Sequence, residues 1–276
     1  MHAVHKLYLA RKAQSTREFQ ARGGKLIRCP VCRIDQRYCI CKYSQQSASQ
    51  SAFLLLMHDD EVLKPSNSGR LIADVINDTH AFIWHRTDVD SALLDLINND
   101  KYQPFLVFPK QYAISFFDEF DATATKPPIF EQCPTEFASE NRNASASKTP
   151  LFIIIDATWR QAKRIFRKSK YLASLPIISI PATMLSTNAD NIGDDATLQY
   201  AQESRYQVRK ANIAGQLATA EVAAKVLTMF GEERTGKHLD LWFDVFCYRY
   251  QQGVMQKNKA DKQALAKYLA FIEGKT

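Results

Sequence analysis

The side chains with the most evident chemistry stand at the end of one apolar run. Residues 151–159 read LFIIIDATW, so five apolar residues lead directly to Asp156, Thr158 and Trp159. Such a run predicts a buried strand of the kind found in parallel sheets. Ligands of open α/β sheets bind just beyond the carboxyl ends of the strands. The sequence therefore predicts a site to which these residues supply an acid, a hydroxyl and an indole.

Structural roles compete with this hypothesis for the same residues. Asp and Thr are both common at helix N-caps, and a helix is expected to begin here, so Asp156 could cap that helix. Trp159 belongs to a residue type that more often packs in a core than contacts a ligand. The composition of the following helix bears on the choice.

That helix carries a basic face with no acid in it. Its cations recur at helical spacing: Arg160, Lys163, Arg164, Arg167 and Lys168. Trp159, Ala162, Ile165 and Phe166 fall on the other side and should pack on the sheet. Solvated helix faces usually mix charges, because opposite charges at i,i+4 stabilise the helix. The all-positive face therefore predicts contact with a phosphate backbone.

Four of the cysteines form a second group with chemical potential: Cys29, Cys32, Cys39 and Cys41. In a reducing compartment such a cluster favours a metal site over disulfides. Cys-x-x-Cys supplies two thiolates of a tetrahedral zinc site, and the less usual Cys-x-Cys would supply the other two. A shell of four thiolates leaves no open position, so we predict structural zinc, with Arg33 and Arg37 offsetting the negative charge. The alternative is four unrelated buried or redox-active thiols.

The bulk composition sets the class of protein. The chain has 276 residues, 46% of them hydrophobic, which is enough for a large core. Its net charge of +7 favours a polyanionic partner. No apolar stretch approaches the roughly 18 residues of a membrane span. The amino-terminal segment lacks the apolar core of a secretory signal, so we expect a cytoplasmic protein without a membrane partner.

Strands alternate with helices along the chain, which predicts an α/β fold with a mostly parallel sheet. Strands are expected at 52–57, 81–86, 104–109, 151–155 and 175–181. Helices are expected within 1–25, 70–78, 91–100, 160–172, 215–230 and 239–252 and near the carboxyl end. We place a basic helix and the zinc-binding segment in 1–50, ending in a polar tether, and a catalytic domain in 51–276. Residues 118–150 are interpreted as an insertion or loop.

Several motifs together resemble the DTW-domain family, which is named for Asp-x-Thr-Trp. They are the cysteine cluster, His58-Asp-Asp-Glu61, Pro65-Ser-Asn-Ser-Gly69-Arg70-Leu71, Phe105-Leu-Val-Phe-Pro109, Asp156-Ala-Thr158-Trp159, Tyr206-Gln-Val-Arg209 and the Gly215–Glu221 segment. The resemblance covers about residues 26–230. The chain departs from the family pattern at Asp59, where a proline is common, and in the long 118–149 interval.

The resemblance implies a tRNA-uridine aminocarboxypropyltransferase with a SPOUT-like sheet, flanking helices and a carboxyl-terminal trefoil-type knot. Such enzymes transfer the 3-amino-3-carboxypropyl group of S-adenosylmethionine to N3 of a uridine in tRNA. The products are 3-(3-amino-3-carboxypropyl)uridine and methylthioadenosine. The implied co-substrate is S-adenosylmethionine, the implied partner is tRNA, and zinc is structural. We expect a monomer, because the zinc segment and the last helices could cover the surface through which SPOUT methyltransferases often dimerise.

Roles for individual residues follow as hypotheses. Asp156 would accept the N3 proton, Trp159 would stack on the flipped base, and Thr158 would hydrogen-bond the base or cofactor. By analogy with knotted sites, the cofactor pocket would comprise Phe108, Pro109, Pro181, Tyr206, Arg209 and Arg70. One of the two arginines would bind the cofactor carboxylate, although a structural ion pair is an equal alternative for each. The basic helix face would bind tRNA.

Two neighbouring pairs carry both structural and active-site interpretations. His58 and Glu61 could act in the site or cap a turn. Thr219 and Glu221 resemble an N-cap and a first-turn acid, although a substrate-site role stays open.

Two other functions fit parts of the same pattern. A SPOUT-type RNA methyltransferase would share fold and cofactor but release S-adenosylhomocysteine. A non-catalytic zinc-containing RNA-binding protein would use the cysteines and the basic helix, and would leave Asp156 without a chemical role.

Overall fold

A six-stranded sheet forms the centre of the molecule. The computed structural model describes residues 1–16, 26–120, 126–137, 148–185, 204–206, 217–254 and 257–275. Its strands are β1 Ala52–Met57, β2 Thr79–Ile83, β3 Tyr102–Val107, β4 Ile129–Phe130, β5 Thr149–Asp156 and β6 Ile177–Ile178. The order is β2-β1-β5-β3-β6-β4, and every neighbouring pair is parallel. The predicted α/β class and parallel sheet are confirmed.

The central strands are apolar because both faces of the sheet are covered. Strand β1 is buried at all six positions, and it pairs with β5 so that Met57 lies opposite Asp156. The predicted strands at 52–57 and 151–155 are thus confirmed. Strand β2 starts two residues before the predicted 81, because backbone pairing with β1 includes Thr79 and His80. A hydrophobicity pattern does not mark those polar residues.

The described helices lie on both sides of the sheet. They are α1 Ala3–Ala13, α2 Asp59–Leu63, α3 Arg70–Val75, α4 Ser91–Ile97, α5 Lys110–Phe120, α6 Trp159–Lys168, α7 Lys170–Ala173, α8 Ala182–Leu185, α9 Thr219–Met229, α10 Glu233–Gly253 and α11 Ala264–Ile272. Odd positions of β1 face a core built with α3, α9 and α10, whereas even positions face α4, α5 and α6. None of these helices has the length and apolar character needed to cross a membrane.

The amino-terminal segment packs on the larger of these two cores. Val4, Cys32 and Ile40 are buried in the same cluster as Trp242 and Phe246 of α10. The polar stretch 44–51 is also bonded to the rest of the chain. The Ser51 hydroxyl donates to Glu232 at 2.5 Å, and the Ser47 amide donates to the Val75 carbonyl at 2.8 Å. The stretch is therefore packed, and the domain boundary at residue 50 stays a prediction.

Part of the predicted topology falls outside the described residues. A trefoil-type knot is predicted in the carboxyl-terminal half, where the structure describes only residues 204–206 and 217–218 between α8 and α9. The knot and the SPOUT relationship stay predictions. The 118–150 interval is more than a loop, because it contains β4, which pairs with β6 at the edge of the sheet.

Candidate active site and metal centre

Asp156 is the last residue of β5, and its side chain is only 3% exposed. Oδ2 accepts a hydrogen bond from Nδ2 of Asn67 at 2.6 Å, and Oδ1 accepts one from Oγ1 of Thr219 at 2.7 Å. Gly69 lies against the same carboxylate, where an added Cβ would be 2.5 Å from Oδ2. The N-cap of α6 is Thr158, so Asp156 does not cap that helix. Three distant parts of the chain therefore meet at one carboxylate.

Asn67 connects Asp156 to the start of α3. While its Nδ2 donates to Asp156, its Oδ1 accepts from the Arg70 amide at 3.0 Å, and the residue is 1% exposed. Both ends of the amide are thus engaged, which fixes its orientation. Sequence reasoning missed Asn67 as a site residue, although it lies inside the Pro65–Leu71 motif.

The start of α9 differs from the sequence-based expectation. The N-cap is Ala218, and Thr219 is the first helical residue, which turns its hydroxyl towards Asp156. Glu221 does act as a first-turn acid: it accepts from the Ala218 amide at 2.8 Å. It also accepts from Oγ of Ser204 at 2.5 Å, and so ties a neighbouring segment to this helix end.

Thr158 and His58 form a polar group beside the same strand ends. Oε1 of Gln161 accepts from both the amide and the hydroxyl of Thr158, at 3.0 and 2.6 Å. The Gln161 amide nitrogen lies 3.2 Å from the ring nitrogens of His58. His58 caps α2 by accepting from the Asp60 amide at 3.3 Å, so its capping role is confirmed.

Trp159 packs in an aromatic group but keeps part of its surface exposed. Phe108 stacks on it at 5.8 Å between ring centroids, and Tyr112 packs edge-on at 4.8 Å. Its Nε1 is buried and has no hydrogen-bond partner among the described residues. A buried donor without a partner is costly, so this atom marks a place where a ligand acceptor would be favourable.

Of the residues predicted for a cofactor pocket, three lie at the carboxyl edge of the sheet and Tyr206 lies beside the loop that contains Ser66. Phe108 and Pro109 follow β3, and Pro181 follows the neighbouring β6, with the Phe108 amide donating to Ile178 at 3.0 Å. Because parallel strands end at one edge, these residues share the edge of Asp156. The Tyr206 ring is buried, and its hydroxyl donates to the Ser66 carbonyl.

The structure describes only one of the two arginines predicted to bind the cofactor carboxylate. Arg209 lies outside the described residues. Arg70 is 1% exposed, lies 3.4 Å from Asp74 through Nη1, and has its guanidinium 5.0 Å from the Phe246 ring. The structure thus places Arg70 inside the core, beneath the loop that contains Asn67.

Helix α6 has the predicted two-sided character. Ala162, Ile165 and Phe166 are buried against the sheet, which confirms the apolar side. The exposed basic residues are Arg160, Arg164, Arg167 and Lys168. Lys163 is half-buried, with its ammonium 5.0 Å from the Tyr112 ring, so it borders the aromatic group around Trp159.

The four clustered cysteines meet in space. The sulfur atoms of Cys29, Cys32, Cys39 and Cys41 all lie within 4.8 Å of one another. The sulfur of Cys29 lies 3.5 Å from that of Cys39 and 3.7 Å from that of Cys41, and the sulfurs of Cys32 and Cys39 are 3.8 Å apart. Tetrahedral Zn–S bonds of about 2.3 Å place neighbouring sulfurs about 3.8 Å apart. The cluster therefore has the dimensions of a four-thiolate zinc site.

The backbone around the first two cysteines supports metal binding. Arg33 adopts a φ of 60°, which turns the chain after Cys32, and its amide donates to the Cys29 carbonyl at 2.9 Å. Burial raises the pKa of the Cys29 thiol, but backbone hydrogen bonds from Cys32 and Val31 outweigh it and lower the pKa to about 7. Amides directed at a sulfur favour the thiolate that binds zinc.

Arg37, predicted to offset the charge of the thiolates, pairs with a carboxylate instead. Arg37 has a largely exposed side chain and forms a bidentate pair with Asp35, at 3.1 and 2.7 Å. Its charge is thereby committed to a carboxylate. Arg33 is buried, and burial, with a smaller contribution from the Arg70 charge, lowers its pKa to about 9.

Comparison with known families identifies the chain. The family model described as DTW domain matches residues 26–251. The chain belongs to the DTW-domain family. The matched part of this DTW domain begins just before Cys29 and ends within α10, so it contains both the cysteine cluster and the Asp156 site. No solved structure matches the chain.

Proposed function

We propose that this DTW domain transfers the 3-amino-3-carboxypropyl group of S-adenosylmethionine to N3 of a uridine in tRNA. Membership of the family suggests a tRNA-modifying enzyme. The finer assignment rests on one observation: a buried carboxylate, fixed by two hydrogen bonds, lies at the carboxyl edge of a parallel sheet beside an exposed basic helix.

The chemistry of uridine explains why such a carboxylate is needed. N3 carries a proton and becomes a good nucleophile only when that proton leaves. Asp156 can accept it, because a carboxylate within hydrogen-bond reach of an acidic N–H can act as a general base. The bonds from Asn67 and Thr219 also orient the carboxylate in advance, which lowers the cost of reaching the reactive geometry.

S-adenosylmethionine would supply the aminocarboxypropyl group and leave as methylthioadenosine. The residues after β3 and β6, Phe108, Pro109 and Pro181, would form the wall of its pocket, together with Tyr206. The unpartnered Nε1 of Trp159 lies beside Phe108, and its need for an acceptor fits a ligand at this edge. Because Arg70 is buried, we favour Arg209 as the partner of the cofactor carboxylate.

The remaining residues would position the RNA. Trp159 is half-exposed and could stack on the extruded uridine. The exposed Thr158 hydroxyl, which donates to Gln161, could accept a hydrogen bond from the ammonium group of the cofactor. The basic face of α6 starts at the next residue, so tRNA phosphates bound there would bring a base to Asp156.

Nucleoside mass spectrometry tests this proposal. The zinc-loaded protein is incubated with S-adenosylmethionine and bulk tRNA, and a reaction without tRNA serves as control. We expect aminocarboxypropyl-uridine together with methylthioadenosine. A methylated nucleoside with S-adenosylhomocysteine would establish a methyltransferase instead. Absence of both products and of cofactor binding by calorimetry, with tRNA still bound, would favour a non-catalytic RNA-binding protein.

A further inference from the structure

Residues 204–206 contact both of the segments that supply hydrogen bonds to Asp156. Asn67 donates to the carboxylate from the loop before α3, and Thr219 donates to it from the first turn of α9. Neither donor belongs to β5, the strand that carries the acid. The geometry of the carboxylate therefore depends on how these two segments are held in place.

Glu221 attaches residues 204–206 to the start of α9, and its side chain is buried. Its Oε2 accepts from the Ser204 hydroxyl at 2.5 Å and from the Ala218 amide at 2.8 Å, and its Oε1 accepts from the Arg205 amide at 3.1 Å. A charged acceptor makes such bonds about twice as strong as bonds between neutral groups. One carboxylate thus joins the segment to the backbone just before Thr219.

Tyr206 attaches the same segment to the loop that contains Asn67. Its hydroxyl donates to the carbonyl of Ser66, the residue before Asn67. Its ring is buried on α10, with its centroid 5.6 Å from that of Phe243 and 6.4 Å from that of Phe246. A packed ring whose hydroxyl bonds a backbone carbonyl fixes that carbonyl relative to the surface beneath the ring. Tyr206 therefore holds the loop at a set distance from α10.

Arg205 anchors the segment between these two attachments. Its Nη1 lies 2.9 and 2.8 Å from the two carboxylate oxygens of Asp244, and its Nη2 donates to Asp240, both on α10. Burial lowers the pKa of Arg205, but the charges of these two acids and of Glu221 outweigh it and raise the pKa. The guanidinium therefore stays charged, and the anchor is an ion pair on the helix that also supports the Tyr206 ring.

We propose that residues 204–206 form a clamp that positions Asp156, with Glu221 and the Tyr206 hydroxyl as its two positioning groups. Through Glu221 the clamp fixes the helix start from which Thr219 donates to the acid. Through Tyr206 it fixes the loop from which Asn67 donates. The clamp itself is a matter of structure, whereas its effect on turnover rests on the reaction proposed above.

Two conservative variants each break one attachment of the clamp. Tyr206→Phe removes the hydroxyl but keeps the ring, and with it any contact between the ring and the cofactor. Glu221→Gln keeps the shape of the side chain, but its amide presents one oxygen and one NH₂ group. Either the Arg205 amide or the Ala218 amide therefore loses its acceptor.

Hydrogen exchange, followed by mass spectrometry on the substrate-free protein, measures the clamp independently of any reaction. Tyr206→Phe should speed exchange over residues 64–72 by about fivefold, the factor to which the loss of one hydrogen bond corresponds. Glu221→Gln should do the same over residues 217–222. In both variants the single-turnover rate at saturating S-adenosylmethionine and tRNA should fall about tenfold or more, because the acid is displaced. The dissociation constants of both substrates should stay at their wild-type values.

Two control variants break hydrogen bonds of the same kinds elsewhere in the fold. Tyr268→Phe removes a hydroxyl that donates to the Tyr43 carbonyl at 3.1 Å. Glu232→Gln alters a carboxylate that accepts from the Gln50 amide at 3.1 Å and from the Ser51 hydroxyl at 2.5 Å. Both controls should retain the wild-type rate and wild-type exchange over residues 64–72 and 217–222.

Wild-type turnover in both clamp variants, or wild-type exchange in both segments, would overturn the proposal. A defect of Tyr206→Phe confined to S-adenosylmethionine affinity would also overturn it and would make Tyr206 a residue of the cofactor pocket alone. If the wild type forms no modified uridine, the proposed reaction fails, while the exchange measurements still decide whether the clamp exists. If Glu221→Gln does not fold, Ser204→Ala removes one of the same hydrogen bonds and is measured in its place.

Discussion

At the scale of single residues, the environment of Asp156 explains how a charged group is kept in a buried position. A buried carboxylate is costly unless hydrogen bonds replace those of water, and Asn67 and Thr219 provide them. Gly69 then allows the loop to approach so closely that no side-chain atom fits between. The position of the carboxylate is thus determined by three neighbours rather than by its own strand.

Gly69→Ala tests whether that position matters. Its Cβ would lie 2.5 Å from Oδ2, so the carboxylate or the loop must move. Displacement of a catalytic group by about 1 Å can lower turnover about 10²-fold. We expect a loss of that order in the single-turnover rate, with unchanged tRNA affinity. Gly274→Ala adds a Cβ with no atom within 4 Å but at a φ of 70°, so it is a control for backbone strain just after α11 and should retain the wild-type rate.

At the scale of elements, the two sides of α6 differ in role: one packs on the sheet, and the other carries exposed basic side chains. Ala162, Ile165 and Phe166 hold it on the sheet, and Gln161 closes its first turn on Thr158. The opposite side is left free to carry cations. The helix begins three residues after Asp156, so a tRNA bound on the basic face, as we propose, would also reach the acid.

Arg164→Ala with Lys168→Ala tests this face. Each cation that contacts a phosphate contributes about one unit to the slope of log affinity against log salt concentration. We expect weaker tRNA binding and a slope reduced by about two units, measured by filter binding over a salt series. Lys257→Ala with Lys259→Ala removes the same charge from the chain that follows α10, as a control. Equal slopes for the two double variants would exclude α6 from the RNA-binding surface.

The segment that carries the four clustered cysteines packs on the core with α10, so it should contribute to stability. Metal binding to such a site is coupled to folding. We expect Cys32→Ser to lose zinc and to unfold at a temperature several degrees lower, in calorimetry with matched metal analysis. Cys133→Ser changes a half-buried cysteine outside the cluster and is the control. A zinc-free Cys32→Ser protein with the wild-type midpoint would contradict the expected coupling.

The α/β class and the longer strands could be predicted from sequence, because apolar runs such as 151–155 and the periodicity of α6 are local signals. Helix α5 and strand β4 were not predicted. The contacts of Asp156 with Asn67 and Thr219 could not be predicted from sequence. Asn67 is 89 residues away along the chain and Thr219 is 63, so their meeting depends on strand order and on the loops between. The cap at Ala218 was missed for a related reason: tertiary contact with Asp156 decides where Thr219 points.

At the scale of the whole molecule, packing of the last helices makes stability depend on pH. His238 of α10 lies 3.1 Å from the Tyr268 hydroxyl of α11, and burial, followed by repulsion from Arg234, lowers its pKa to about 4. The unfolded chain binds a proton near the ordinary value of 6.5, and the folded chain does not until about 4. The neutral histidine therefore contributes stability above that window, which is lost as the pH falls through it.

His238→Gln isolates this effect. Asp244, with its pKa raised to about 6 chiefly by burial, acts in the opposite direction over much of the same range. We therefore compare free energies of unfolding of the two proteins by urea titration at about pH 7.5 and about pH 5. The wild type should lose more stability than the variant on acidification. Identical losses would show that His238 is protonated normally in the fold.

The contacts of Asp156 with Asn67 and Thr219, which come from two distant segments, make the candidate site a property of the whole chain. Asp156→Asn is suited to test the role of the acid, because the amide can turn its oxygen to Asn67 and its nitrogen to the Thr219 hydroxyl, which also accepts. Both structural contacts can therefore survive while the basic oxygen is lost.

The most direct test of the central claim is the single-turnover rate of Asp156→Asn at saturating S-adenosylmethionine and tRNA. Loss of a general base typically lowers the rate 10²–10⁴-fold. We predict a loss of about that size in formation of the modified uridine, with wild-type dissociation constants for both substrates. A near-normal rate would contradict the role of Asp156 as the base. A defect confined to tRNA affinity would make it an architectural residue instead.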